Sequence, residues 1–274
     1  MTDLATAPAP AAAEPAGGAR RRTLLAVAWP LLGLAVAIGL WWAGTTLFSI
    51  NTVVLPSPPA VIDGFGRYHE FLVDEAWHTT AATVEGFLLS VGVGVLLGAA
   101  IAAWGPFERM FSPLLVAFNA VPKVALAPLV LIWFGYGRTP ILAMAFMVCF
   151  FPIVLSTATG LTSTPADLAE LVRSMDASRM QTFARVRLPA ALPQIFVGLK
   201  VAMPLAVIGV VVGEMQYGES GLGTIIVQTS GQGDTATAFA AITLLALISI
   251  VLYYLLVVGE RLALPWVRAT TSQR

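Results

Sequence analysis

The side chains able to do chemistry are few in this chain, and they cluster. Seven charges lie between Thr164 and Gln194, in TPADLAELVRSMDASRMQTFARVRLPAALPQ, with long apolar runs on either side. Thr164-Pro165-Ala166-Asp167 reads as a helix start. The hydroxyl can cap, Pro sits at the first helical position, and Asp at the third can return a bond to the cap. Ser178-Arg179-Met180-Gln181 repeats the device for a second short helix. Met175-Asp176-Ala177 supplies the turn between them, and Leu188-Pro189 closes the pair. Leu168, Leu171, Val172 and Met175 share one apolar face, and Met180, Phe183, Ala184 and the aliphatic stem of Arg187 share another. The chemistry this offers is contact: a helical hairpin that either lies on lipid headgroups or docks on a protein partner.

Three further charges, Lys123, Lys200 and Glu214, fall within or beside apolar runs. An ionisable group at membrane depth is costly and marks function by default. Lys123 follows Pro122, which is expected to break its helix, and a broken helix carrying a charge suits a cavity lining. Glu214-Met215 ends an apolar run beside Gly213, Gly218, Gly221 and Gly223, glycines that predict a flexible loop. Glu214 then faces a pathway, helps to close an outer gate, or is a plain boundary carboxylate. Pro122, Lys123, Glu214 and Met215 are the candidate pathway residues. Lys200 is expected to snorkel to the headgroups, and Glu85 to be interfacial. His69 and His78, nine residues apart with no fixed register, do not point to a metal. Cys149 reads as a buried small hydrophobe. The chain has no GxxxxGK[ST] and no HExxH, so neither nucleotide binding nor zinc hydrolysis is expected of it, and no cofactor is implied.

The elements that hold these residues are membrane spans. Hydrophobic residues make up 58% of the chain, charged residues 11%, and the mean hydropathy is +0.84. A soluble domain carries about 25% charged residues. Six apolar runs are each long enough to cross a bilayer as a helix: about 24–48, 81–104, 111–133, 140–160, 195–213 and 236–258. Residues 1–22 read as a disordered tail rich in Ala, Pro and Gly that ends in Arg20-Arg21-Arg22, 23–260 as the membrane domain, and 261–274 as a short basic tail. The region 49–78, with LPSPP and four acids, reads as an exposed loop with one surface helix. With a cytoplasmic N-terminus, eleven arginines fall on inside segments and two, Arg67 and Arg138, on outside ones. That asymmetry predicts both termini and the polar segment on the cytoplasmic side. Ser90, Gly94, Gly98 and Ala102 form a small-residue stripe for close helix contact. Trp41, Trp42, Trp133, Tyr253 and Trp266 fall near the predicted ends as interface anchors. Zero net charge and no basic block leave nucleic acid unindicated.

The polar segment resembles the cytoplasmic signature loop of binding-protein-dependent ABC importer permeases, which runs Glu-Ala-Ala, then Gly, then hydrophobic-Leu-Pro. The matching positions are Glu170-Leu171-Val172, then Arg173-Ser174-Met175-Asp176-Ala177-Ser178, then Phe183 and Val186-Arg187-Leu188-Pro189. Leu171 and Val172 replace the two alanines, and Asp176 stands where Gly is usual. LPSPPAV (55–61), VPKVALAPLVLIWFGYG (121–137), LPAALPQIFVGLKVA (188–202), VVGE (211–214) and GLG (221–223) are similar to the nitrate/sulfonate/taurine-type branch. The resemblance spans about 25–270. It implies an all-α, six-span MetI-like permease fold in a bacterial inner membrane, with a coupling hairpin at 163–192. It further implies a homodimer of permease subunits, two ATPase subunits, and a periplasmic or lipid-anchored binding protein. In that picture Phe183 is an apolar knob, and Glu170, Arg173 and Arg187 orient the contact through charge. The branch carries oxyanions and sulfonates, and related permeases carry vitamin precursors such as pyrimidines and riboflavin. A secondary transporter is the rival from another class, but it favours inverted repeats and paired acids in mid-membrane, and neither is visible.

Overall fold

A computed structural model describes residues 17–103, 105–163, 172 and 174–266. The chain divides into two compact units, Met1–Pro59 and Ala60–Arg274. The first holds α1 (Gly17–Leu47), followed by a turn in which the Asn51 side chain accepts from the amide of Val53 at 2.9 Å. LPSPP then leads into α2 (Pro58–Arg67), with Pro58 and Pro59 in the first turn, where no N–H is needed.

The second unit is built on three long helices: α3 (His69–Ala103), α6 (Arg138–Thr162) and α8 (Leu188–Tyr217). Helix α6 packs along both of the others, and small residues let the backbones approach. A Cβ on Gly94 would lie 2.9 Å from Ile153, and one on Gly98 would lie 2.6 Å from Thr157. The stripe read from the sequence therefore faces α6 within this chain. Cys149 is fully buried in the same seam, where its thiol donates to Ser90 Oγ at 3.1 Å.

Among the described residues, five helices are long and apolar enough to cross a membrane, or six if one bent pair counts as a single span. The bent pair is the expected third span. Helix α4 (Gly105–Ala120) stops before Val121-Pro122, because a residue preceding proline is pushed out of the helical region and Pro122 has no N–H to continue the ladder. A 3₁₀ turn (Lys123–Leu126) and α5 (Ala127–Phe134) follow, 82° away in direction. Gly135, at φ 72°, ends α5.

Two boundaries differ from expectation. Helix α3 starts at His69, so the acids Glu70, Asp74 and Glu75 and both histidines lie on a helix rather than in a loop. At the other end of the unit, α7 (Arg179–Thr182) runs through a π-helical turn (Phe183–Arg187) straight into α8. Leu188-Pro189 thus does not close a separate short helix. Pro189 cannot donate to Arg185, and its ring would crowd that carbonyl in an α-helix. Widening the turn, with Leu188 N–H reaching Phe183 O, carries the helix past it. Helix α9 (Leu222–Gly231) and α10 (Thr235–Ala263) complete the chain, and Asp234 caps α10 through the amide and hydroxyl of Thr237 at 3.2 and 2.6 Å.

Candidate functional site

In the described part of the polar segment, local hydrogen bonds close the backbone around residues 172–181. Ser178 Oγ accepts from the Gln181 amide at 3.2 Å, and the Ser178 amide donates to Gln181 Oε1 at 2.9 Å, a reciprocal capping box. Asp176 is left-handed, at φ 52°, and the Ala177 amide bonds Val172 O at 3.4 Å. That six-residue closure around a left-handed residue is a Schellman turn, with Asp176 in the position that glycine fills most easily. The side chains point outward: Ser174, Asp176, Ser178 and Met180 are exposed, while Ala177, Phe183, Arg187, Leu188 and Pro189 are half-buried. Glu170, Arg173 and the Thr164–Asp167 helix start lie outside the described residues.

Glu214 lies 27 positions beyond Arg187 on the same continuous helix, about 40 Å away at the α-helical rise. It is 3% exposed and enclosed by hydrogen bonds. Its Oε2 accepts from Thr79 Oγ1 at 3.1 Å and from the Gly223 amide at 2.9 Å. Thr79 in turn accepts from the Leu222 amide at 2.9 Å, and the Gly221 amide donates to the Glu75 carboxylate. Thr224 Oγ1 reaches Glu214 O at 3.1 Å. Three successive amides at the start of α9 thus point at two carboxylates and a hydroxyl supplied by α3 and α8. The expectation of a flexible glycine loop is overturned here. Gly221 adopts φ 102°, ψ 158°, which only glycine tolerates, and a Cβ on it would stand 2.2 Å from the Glu214 carboxyl carbon. Met215, the next residue, is 43% exposed.

Lys123 sits at the break. Its Nζ donates to Asn119 O and Asn119 Oδ1, both at 2.9 Å, so it covers a carbonyl left open by the end of α4. It also lies 5.2 Å from the centroid of the Phe151 ring. Beside it opens an apolar cavity of about 610 Å³ between α4, α5 and α6. Tyr217 holds the broken segment in place: its hydroxyl donates to Ala127 O at 2.6 Å, tying the end of α8 to the start of α5.

Two charges pair in ways the sequence reading did not foresee. Lys200, expected to reach for the headgroups, bonds both Glu260 oxygens, at 3.0 and 2.9 Å, with each side chain 22% exposed. It lies midway along α8, because that helix begins earlier than hydropathy alone indicates. Glu85 forms a bidentate bridge to Arg138 at 2.6 and 3.0 Å. The structure thus leaves the polar segment, Lys123 and Glu214 apart. It adds Glu75, Thr79, Asn119 and Phe151 as their partners. Spacing held a trace of two of these, since Asn119–Lys123 and Glu75–Thr79 are each four apart and share a helix face.

This arrangement has no candidate metal cluster among the described residues. It offers an outward-facing helical turn, a continuous helix leading away from it, and a cavity at a broken span. Residues 90–268 match the family of the binding-protein-dependent transport system inner membrane component. The chain belongs to this family. The permease is 38% identical over 256 residues to the riboflavin transport system permease protein of Chloroflexus aurantiacus, covering 90% of this chain and 94% of that one. It is 30% identical over 241 residues to the taurine transport system permease protein of Escherichia coli, covering 85% and 87%. Its fold is similar to the inward-facing MetNI methionine ABC transporter, with a TM-score of 0.61, 22% identity, 73% of this chain covered and 97% of that one. The permease is accordingly an all-helical, membrane-spanning, MetI-like subunit of an ABC transporter.

Proposed function

We propose that two copies of this permease form the translocation pathway of an ATP-driven importer in a bacterial inner membrane. A separate ATPase dimer and a periplasmic or lipid-anchored binding protein complete it. The family match across 90–268 carries this reading, because it includes the polar segment, the broken span and the glycine loop together. Both termini and the 163–192 loop lie on the cytoplasmic side, a reading supported by the arginine asymmetry. There Glu170, Arg173, Ser174, Asp176, Ala177, Ser178, Phe183, Arg187, Leu188 and Pro189 form the coupling surface. The uninterrupted run from Arg179 to Tyr217 supports a mechanical role. A displacement of the docked turn moves α8 as a rigid body, and with it the residues at its far end.

The cargo is a small solute. A sulfonate, taurine or nitrate is one reading, supported by the taurine relative. A vitamin precursor such as riboflavin or a pyrimidine is the second, supported by the riboflavin relative at 38% identity. The importer reading is tested by purification and uptake. An ATPase chain should co-purify with the permease, and uptake should stop on ATP depletion. Phe183→Ala and Glu170→Lys should each abolish uptake while the permease stays in the membrane. Normal uptake by both variants would remove the coupling assignment, and uptake indifferent to ATP would remove the importer.

A further inference from the structure

The cavity at the broken third span has a composition that selects its occupant. Phe118 comes from α4, Trp133 from α5, and Phe146, Phe150 and Phe151 from α6, with Lys123 the charged group among the lining residues. Phe118 and Phe151 lie near-parallel, with centroids 6.1 Å apart and planes at 25°, and Phe146 and Phe150 lie 4.8 Å apart at 30°. Its volume, about 610 Å³, falls in the range of small-molecule sites, which are mostly apolar with a few placed polar groups. Lys123 uses two of its three N–H groups on Asn119, and the ammonium lies over the Phe151 face. One N–H remains for a ligand.

A hydrophilic anion such as an aliphatic sulfonate would exchange water for aromatic walls here. A single lysine whose N–H groups are mostly engaged does not compensate for that loss. A lipid chain would leave the remaining N–H without an acceptor. A flat conjugated ring gains offset or edge contacts with the phenylalanines, and a carbonyl or ring nitrogen at its edge accepts from Lys123. We propose that this cavity is a substrate subsite for a planar conjugated heterocycle whose acceptor-bearing edge faces Lys123. The proposal rests on the importer reading above and names the cargo class for that pathway.

The test reconstitutes permease, ATPase and binding protein in proteoliposomes, with riboflavin and taurine as probes and ATP hydrolysis read in parallel. Riboflavin should enter. Phe151→Leu and Lys123→Met should each slow its entry about five- to tenfold, the scale of one lost ring stack or charge-assisted bond. Phe151→Trp should restore most of the rate, and elution of each variant in detergent should match the parent. Phe118→Leu, whose ring lies 6.1 Å from that of Phe151, serves if Phe151→Leu does not fold. Coupled ATP hydrolysis without riboflavin entry, whether or not taurine enters, overturns the subsite and leaves the importer standing. Riboflavin entry unchanged in Lys123→Met and in the phenylalanine variants overturns the subsite as well. Loss of any ATP dependence overturns both.

Discussion

The two ends of α8 solve opposite problems. At its far end, Glu214 is enclosed: one oxygen takes bonds from Thr79 and the Gly223 amide, and Gly221 packs against the carboxyl group. At its near end, the turn around Asp176 meets its backbone needs internally and leaves Met175 and Met180 more than 70% exposed. The first arrangement directs polar groups inward to hold α3, α8 and α9 together. The second closes its own backbone, so its side chains stay available to a partner. A carboxylate beside glycines and a short capped turn look equally functional as strings of residues. Tertiary enclosure distinguishes a clasp from an exposed turn.

Substitutions at four positions break or sharpen this contrast. The largest effect belongs to Gly221→Ala, because the added methyl meets the Glu214 carboxyl and the backbone conformation excludes it. A loss of roughly 3 kcal/mol or more is expected, read as a fall in monodisperse protein and in melting temperature. A variant as stable as the parent would mean the clasp is not closed. Next comes Glu214→Ala, which strands the Gly223 amide, while the Thr79 hydroxyl falls back on Glu75 O at 3.3 Å; it should cost about 1–3 kcal/mol. Glu214→Gln retains an acceptor and should cost visibly less. Equal losses from both would show that charge, and not hydrogen bonding, holds the loop.

At the open end the effects shrink. Ser178→Ala removes one side of the capping box and should cost about 1 kcal/mol, confined to faster amide exchange at residues 179–182. Exchange that also quickens around Glu214 would contradict the independence of the two ends. Smallest is Asp176→Gly, which relieves a left-handed residue and should stabilise the turn by up to about 1 kcal/mol, read as a rise in melting temperature. A measured loss of stability would mean that the Asp176 carboxylate makes a contact the turn depends on.

Much of the local structure was legible. Ser178…Gln181 formed the expected box because both partners lie within one helical turn. Asp176 took the left-handed position that its place in the segment required. Pro122 broke its helix because a missing N–H acts without help from the rest of the fold. Pro189 shows where such reading stops. The same chemistry that breaks a helix at Pro122 is absorbed at Pro189 by a π turn, with packed helix continuing on the far side.

Hydropathy determined the spans and proline the break, while local hydrogen bonding determined the turn around Asp176. These depend on residues within about one turn of each other. Only the tertiary structure decided that Glu214 meets Thr79, 135 positions away, and that Lys200 meets Glu260, 60 positions away. It alone placed Gly221 and Gly223 in close contact with the Glu214 side chain. Such pairings depend on how each helix is rotated about its axis and where along its length it crosses a neighbour. Those quantities are settled by packing across the whole unit, and no stretch of sequence carries them by itself.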